Sequence, residues 1–377
     1  MSKAVVNEFQ PSVTEWFALI GEQKAAEEFR EEDNHKVDRL EYLYQTIGLP
    51  YERPEKLEAT ELSNPSERFK QILKDRGDEL CAIRLVPKKE GLPKIRNRGL
   101  SIRRCYEDWY LKQDIDPENY FAYICPHVPD ILWSMIFAVK EDQIFGEIVA
   151  GGHAQLTQGD TTHQTFDFQF NYNNWSWTGE NQEAEKVVKK ALNSLLVRVP
   201  TVHPPGGQLA GGGNKQKLIT KELKTVFYHN YLSGYFEAVV WPDGRIHFID
   251  FNRVLSNYIP SPSKLTNAKN SILSGKVAFP GKVDGKVVIV NEDNIKNVDF
   301  KKGDILVCKN TDVRFLPLMK KADGIITDLG GLLSHAAIIA RELQIPCLID
   351  TKSATATLKT GDKIILDCDK NKVSVLR

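Results

Sequence analysis

His335 lies in the stretch ADGIITDLGGLLSHAAIIARELQIPCLID. GIITD reads as a buried strand, Gly330-Gly331 as a tight turn, and Ser334 stands where a helix N-cap belongs. Ala336 through Glu342 are good helix formers, so His335 falls in the first turn of a helix. Unpaired N–H groups and the positive end of the helix dipole gather there and suit a phosphate on or near the imidazole. The glycines let a bulky partner approach the backbone closely. An imidazole nitrogen is a competent nucleophile near neutral pH, and a phosphoimidazole is a high-energy phosphoryl carrier. A lone histidine commonly does no more than pack or cap; the surrounding pattern sets this one apart.

A second constellation lies earlier. GYFEAVVW and IHFIDFN flank the turn Pro242-Asp243-Gly244-Arg245, a strong hairpin signal. Glu237 is on the first strand; Asp250 and Asn252, two apart, share a face of the second. Acids idle in such apolar strands would be costly. Three oxygen ligands on a rigid hairpin suit Mg²⁺, which leaves its other positions to water and phosphate oxygens.

The elements that must position these groups can be read more coarsely. The 377 residues predict two or three domains. Fifty basic residues balance fifty acidic ones, which argues against a generally basic nucleic-acid-binding surface. A hydrophobic share of 41% excludes wholesale disorder. No apolar run reaches the ~18–20 residues of a membrane span, and no signal peptide is visible, so a cytoplasmic protein is expected. The six cysteines form no CxxC pair and read as reduced, buried thiols rather than a zinc or disulfide framework.

Residues 1–80 read as a helical segment, with Val37, Leu40, Leu43, Tyr44 and Ile47 on one face and a second helix near Ser66–Arg76. Residues 81–258 read as α+β with antiparallel pairing, including a hairpin of WSMIFAV and IFGEIVAG and a helix carrying Ala184, Val188, Ala191 and Leu195. Residues 259–273, opening with IPSPSKLTNAK, read as a linker. Residues 274–377 alternate strands and helices.

The last hundred residues resemble the swivelling phosphohistidine domain of the phosphoenolpyruvate-utilizing enzymes, such as phosphoenolpyruvate synthase and pyruvate phosphate dikinase. Pro280-Gly281, Gly285, GDILV with Thr311-Asp312, ITDLGG, SHAAIIAREL and Gly361-Asp362 carry the likeness. It implies a β/β/α carrier phosphorylated on His335, with Thr327, Ser334 and Arg341 of the same motifs as catalytic candidates. Leu333 replaces the usual Thr of the dikinases and Val313 a common proline, which places the chain nearer the branch of rifampin phosphotransferase, with its unusual acceptors.

The carboxylate hairpin resembles the metal-binding end of the ATP-grasp fold, with Asp250-Phe251-Asn252 in the place of an acid-x-Asn. The resemblance implies ATP and Mg²⁺ as cofactors, the ion on Glu237, Asp250 and Asn252. It implies a phosphate-facing strand with Lys94, Arg96 and Arg98, backbone groups of Tyr123–Cys125 against the adenine, and Glu147 near ATP or the carrier. AGGGNKQK lacks the GxxxxGK[ST] pattern and reads as a connection. The expected reaction passes phosphate from ATP to His335 and on to an unknown acceptor, a small molecule or a separate protein subunit, with AMP and phosphate released. The acceptor domain of the large relatives has no room in this length. An ATP-grasp-type ligase and a non-catalytic phosphorelay subunit are the alternatives.

Overall fold

The computed structural model describes residues 17–19, 21–89, 91–158, 163–199, 212–259, 261–262, 271–331 and 334–376. Most of the expected linker and Ala210-Gly211 of the glycine loop lie outside these, as does Leu333. From Gly212 the glycine loop is already helical, in the helix Gly212–Leu223.

Four strands come first: β1 (Glu55–Glu58), β2 (Leu80–Pro87), β3 (Ile95–Ser101) and β4 (Tyr120–Pro126). They form an antiparallel sheet in the order β1-β4-β2-β3. Its inner side chains alternate as the strand period demands: Cys81, Ile83 and Leu85 join the helix Glu67–Arg76, while Ala82 and Val86 face the opposite way. Residues 1–80 are therefore not a helical segment apart. β1 is a strand paired with β4, so the expected division at 81 runs through one sheet.

A six-stranded antiparallel sheet follows, ordered β12-β11-β5-β6-β7-β8. It contains β5 (Trp133–Val139), β6 (Ile144–Ala150), β7 (Thr165–Phe170), β8 (Trp175–Trp177), β11 (Gly234–Val240) and β12 (Ile246–Asn252); β9 (Phe227–Tyr228) and β10 (Tyr231–Leu232) make a small separate ribbon. One face, with Phe137, Phe168, Phe236 and Phe248, buries the helix Gln182–Ser194 through Val188, Ala191 and Leu192. The other face, with Ile136, Ala138, Phe145 and Tyr235, meets Phe29 and Ile338. The helix Gln23–Ile47 serves both faces, Phe29 on one and Leu40 and Leu43 on the other.

The last body is a seven-stranded mixed sheet, ordered β13-β17-β16-β15-β14-β18-β19. Its strands are β13 (Lys276–Phe279), β14 (Lys282–Val290), β15 (Ile305–Cys308), β16 (Gly324–Thr327), β17 (Cys347–Ile349), β18 (Lys363–Asp367) and β19 (Lys372–Val375). The strands β14 through β17 run parallel, and β15, β16 and β17 are buried along their whole length, as strands covered on both faces are. All six cysteines are free and buried. Among the described residues no helix is long and apolar enough to cross a membrane.

Candidate active site

Strand register places four carboxylates in one transverse row of the six-stranded sheet. Asp250 opposes Glu237, Glu237 opposes Ile136, Ile136 opposes Glu147, and Glu147 opposes Asp167. Directly opposed residues share a face, so all four acids point to the side that meets Phe29 and Ile338.

At one end of the row, Lys36 Nζ lies 3.4 Å from Asp250 Oδ2 and 3.1 Å from Asp33 Oδ1. Lys94 Nζ reaches Asp33 Oδ2 at 2.8 Å. The chain Lys94–Asp33–Lys36–Asp250 thus bridges the four-stranded sheet to the hairpin. Burial pushes the Lys94 ammonium down to about 8, against the pull of Asp33. Burial raises the Asp250 carboxyl; Lys36 opposes the shift and Glu237 opposite reinforces it. Glu237 goes the other way. Burial would raise it, but His153 Nε2 at 2.9 Å, Lys36, and the Tyr235 hydroxyl donating at 2.8 Å together hold it at about 2.

Asn252 differs from its expected role. Its side-chain oxygen accepts from Val254 N at 3.0 Å and Leu255 N at 2.7 Å. Both lone pairs are committed to the turn after β12, so in this arrangement it is a framework residue and not a ligand. Among the described residues no group of three or more His, Cys, Asp or Glu is placed to hold a metal ion. Glu237 and Asp250 remain as an opposed pair, which suits an ion that takes one or two protein carboxylates.

Arg96 and Arg98 stand on β3, and Arg84 on β2 opposes Arg96 and Tyr123. With Ala82 opposite Arg98, the three guanidiniums share the face of Ala82 and Val86. Arg96 and Arg98 are exposed; partial desolvation and the like charges of Arg96 and Arg84 lower the Arg98 pKa. Tyr123 is corrected. β4 is flanked by β1 and β2, so the main chain of Tyr123 and Ile124 belongs to the ladder and is not free to read a base. The Tyr123 side chain is in the core.

In the last body, Ser334 caps the helix His335–Glu342, its Oγ accepting from Ala337 N at 3.4 Å. Gly330 turns with φ +128°, a conformation open to glycine. Thr327 is fully buried and its Oγ1 donates to Leu329 O at 2.6 Å, so it braces the turn and does not present a reacting group. Arg341 lies six residues along the helix, about 9 Å from His335. It is buried, with Nε donating to Ala278 O at 2.8 Å, and so stands away from the helix start.

The two bodies meet at Glu147. Lys276 of β13 approaches Glu147 at 2.8 Å, Asp167 at 2.6 Å and Asp350 at 3.2 Å. Gly331 sits directly on the Glu147 carboxylate. Glu147 thus faces the last body, the expected carrier, and not the arginines. Sequence pattern alone does not mark Asp33, Lys36, Arg84, Asp167 and Lys276, and the spacing of His153 from His127 and His163 points to no shared metal. The alternation of β2 could have found Arg84, and FDFQF carries an acid between apolar residues as FIDFN does.

Residues 300–371 match the family model "PEP-utilising enzyme, mobile domain". This last part of the chain is thus similar to the mobile domain of phosphoenolpyruvate-utilising enzymes. A phosphoenolpyruvate synthase of Pyrococcus furiosus is 48% identical over 97 residues, 26% of this chain and 12% of that protein. An uncharacterized phosphotransferase, YvkC, of Bacillus subtilis is 44% identical over 110 residues, 29% of this chain and 13% of that protein. The prodigiosin synthesizing transferase PigC of Serratia marcescens is 37% identical over 126 residues, 33% of this chain and 14% of that protein. The matches therefore span about a seventh or less of these relatives. The solved D-cycloserine synthetase DcsG is similar over 58% of this chain and 61% of its own, at 10% identity and a TM-score of 0.31, too slight to assign a fold.

Proposed function

We propose that the protein is an ATP-dependent phosphotransferase that works through a phosphohistidine at His335. One observation carries the reading. The turn leading into the His335 helix rests on Glu147, in the same row as Glu237 and Asp250. Two strand spacings, about 10 Å, separate Glu147 from Glu237. A phosphate chain bound over Glu237 and Asp250 would lie within reach of a nucleophile at that turn.

ATP binds between the two antiparallel sheets, its triphosphate against Arg84, Arg96 and Arg98. Magnesium, when bound by Glu237 and Asp250, supplies neutralisation of the phosphate charge. Lys36 and Lys94 add positive charge on the same side, and His153 holds Glu237 ionised. The His335 nitrogen attacks the β-phosphorus; an N–P bond forms and the P–O bond to the α-phosphate breaks, the electron pair leaving with AMP. Water then takes the γ-phosphoryl as inorganic phosphate, its P–O bond to the β-phosphorus breaking, and the β-phosphoryl stays on His335. Phosphoryl transfer of this kind needs positioning and electrostatics more than covalent help. The carrier then swings away to an acceptor, and AMP and phosphate are released over the cycle.

Incubation of the full chain with β- and γ-labelled ATP tests this. Acid-labile label on protein together with AMP is expected, with no label in His335→Ala. Label that survives His335→Ala, or ADP release without phosphohistidine, would overturn it.

A further inference from the structure

A large cleft lies apart from the region assigned to ATP. It has a volume of about 1160 Å³ and opens between β7–β8 of the six-stranded sheet and the β13–β17 edge of the carrier. Its size is at the upper end for small-molecule sites, which favour junctions between domains.

Its polar lining is unusual. Arg341 is only 7% exposed and lines the cleft. Its Nε donates to Ala278 O, but Nη1 finds no acceptor. Glu147, the acid whose charge acts on it, is already held by Lys276, as are Asp167 and Asp350 of the same lining. Burial without an anion pushes the guanidinium down to about 10. A buried cation lacking its counter-charge is costly, and such a group invites an anion from outside. Two more lining residues are incomplete. Trp177 Nε1 is a buried donor without an acceptor. Asn371 gives its Nδ2 to Gly275 O at 2.9 Å, yet its Oδ1 has no donor. Trp177 belongs to one body; Arg341 and Asn371 belong to the other.

We propose that this cleft binds a small molecule bearing a carboxylate or phosphate oxyanion. Arg341 is its charge anchor, Trp177 Nε1 donates to it, and Asn371 Oδ1 accepts from a hydroxyl or amino group on it. Both bodies supply walls, so the occupant favours the docked carrier by its difference in affinity between docked and released states. The site is separate from the nucleotide arginines.

Calorimetric titration of the full chain with citrate, and separately with inorganic phosphate, provides the test. At least one probe is expected to bind with Kd below about 1 mM. Trp177→Phe keeps the ring and removes only the donor, and should weaken binding at least about threefold; Arg341→Lys should weaken it at least about tenfold. Arg96→Ala with Arg98→Ala should leave it unchanged. Binding of neither probe overturns the proposal. So does binding indifferent to both Trp177→Phe and Arg341→Lys, which marks an adventitious additive only. Loss of binding in the Arg96→Ala, Arg98→Ala variant also overturns it, since the probe would then sit at the nucleotide arginines.

Discussion

The Glu147 carboxylate occupies the space that any side chain at position 331 would need: a Cβ on Gly331 would stand 1.9 Å from Glu147 Oε2. The contact joins the carrier turn to the acidic row, and Glu147 is 1% exposed with Lys276 against it, so it has little room to yield.

Gly331→Ala should therefore disturb docking while leaving the carrier folded. The rate of His335 labelling from ATP is expected to fall between about tenfold and a hundredfold, the usual price of a small misplacement. Thermal unfolding monitored by circular dichroism should change little. Unaltered labelling would separate this contact from the transfer step.

Lys276 holds three carboxylates at once, two of them on the other body. Lys276→Met leaves Glu147 and Asp167 buried without the ammonium they share, at a loss of about 3–5 kcal/mol in urea denaturation. Adding Glu147→Gln and Asp167→Asn to Lys276→Met should recover much of that loss, because the stranded charges are then gone.

Glu237 gives a pH signature. Its pKa is held at about 2 against an ordinary 4.5, so its stabilising contribution is full above pH 4.5 and fades as the pH falls toward about 2. Asp250 is shifted upward and runs in the opposite sense. His153→Gln removes the first favourable partner of Glu237, and the variant should begin to lose stability at a higher pH than the wild type. Denaturation measured across that acid range, with the two proteins compared pairwise, would reveal the difference.

Arg98 is crowded by Arg84 and Arg96. Arg98→Met should weaken binding of an ATP analogue about tenfold while thermal stability holds or rises slightly, since like charge is removed. Affinity of the wild type should also fall as salt is added. Unchanged affinity and stability would return Arg98 to a solvated surface.

The local patterns were legible in sequence because they are short-range. The N-cap at Ser334, the hairpin around Asp243-Gly244 and the apolar stripe of Gln182–Ser194 all follow from nearest neighbours in the chain. Lys36 and Lys276 were not legible, since Lys36 meets Asp250, and Lys276 meets Glu147 and Asp167, across more than a hundred residues. Asn252 misled for a related reason: acid-x-Asn spacing describes a metal ligand and a turn cap equally well, and only the position of Val254 and Leu255 tells them apart. The same ambiguity affects Tyr123, where strand character was plain but the presence of a neighbour on each side was not.

The acidic row imposes a rule on how this sequence can drift. From Asp250 to Asp167 it crosses four strand steps, about 19 Å, and every acid in it depends on parity. Loss of one residue from the middle of β6 would turn Glu147 into the phenylalanine-lined core and bring an apolar neighbour out to the carrier. Homologues should accordingly vary in length at the turns between these strands and keep the strands themselves free of single-residue gaps.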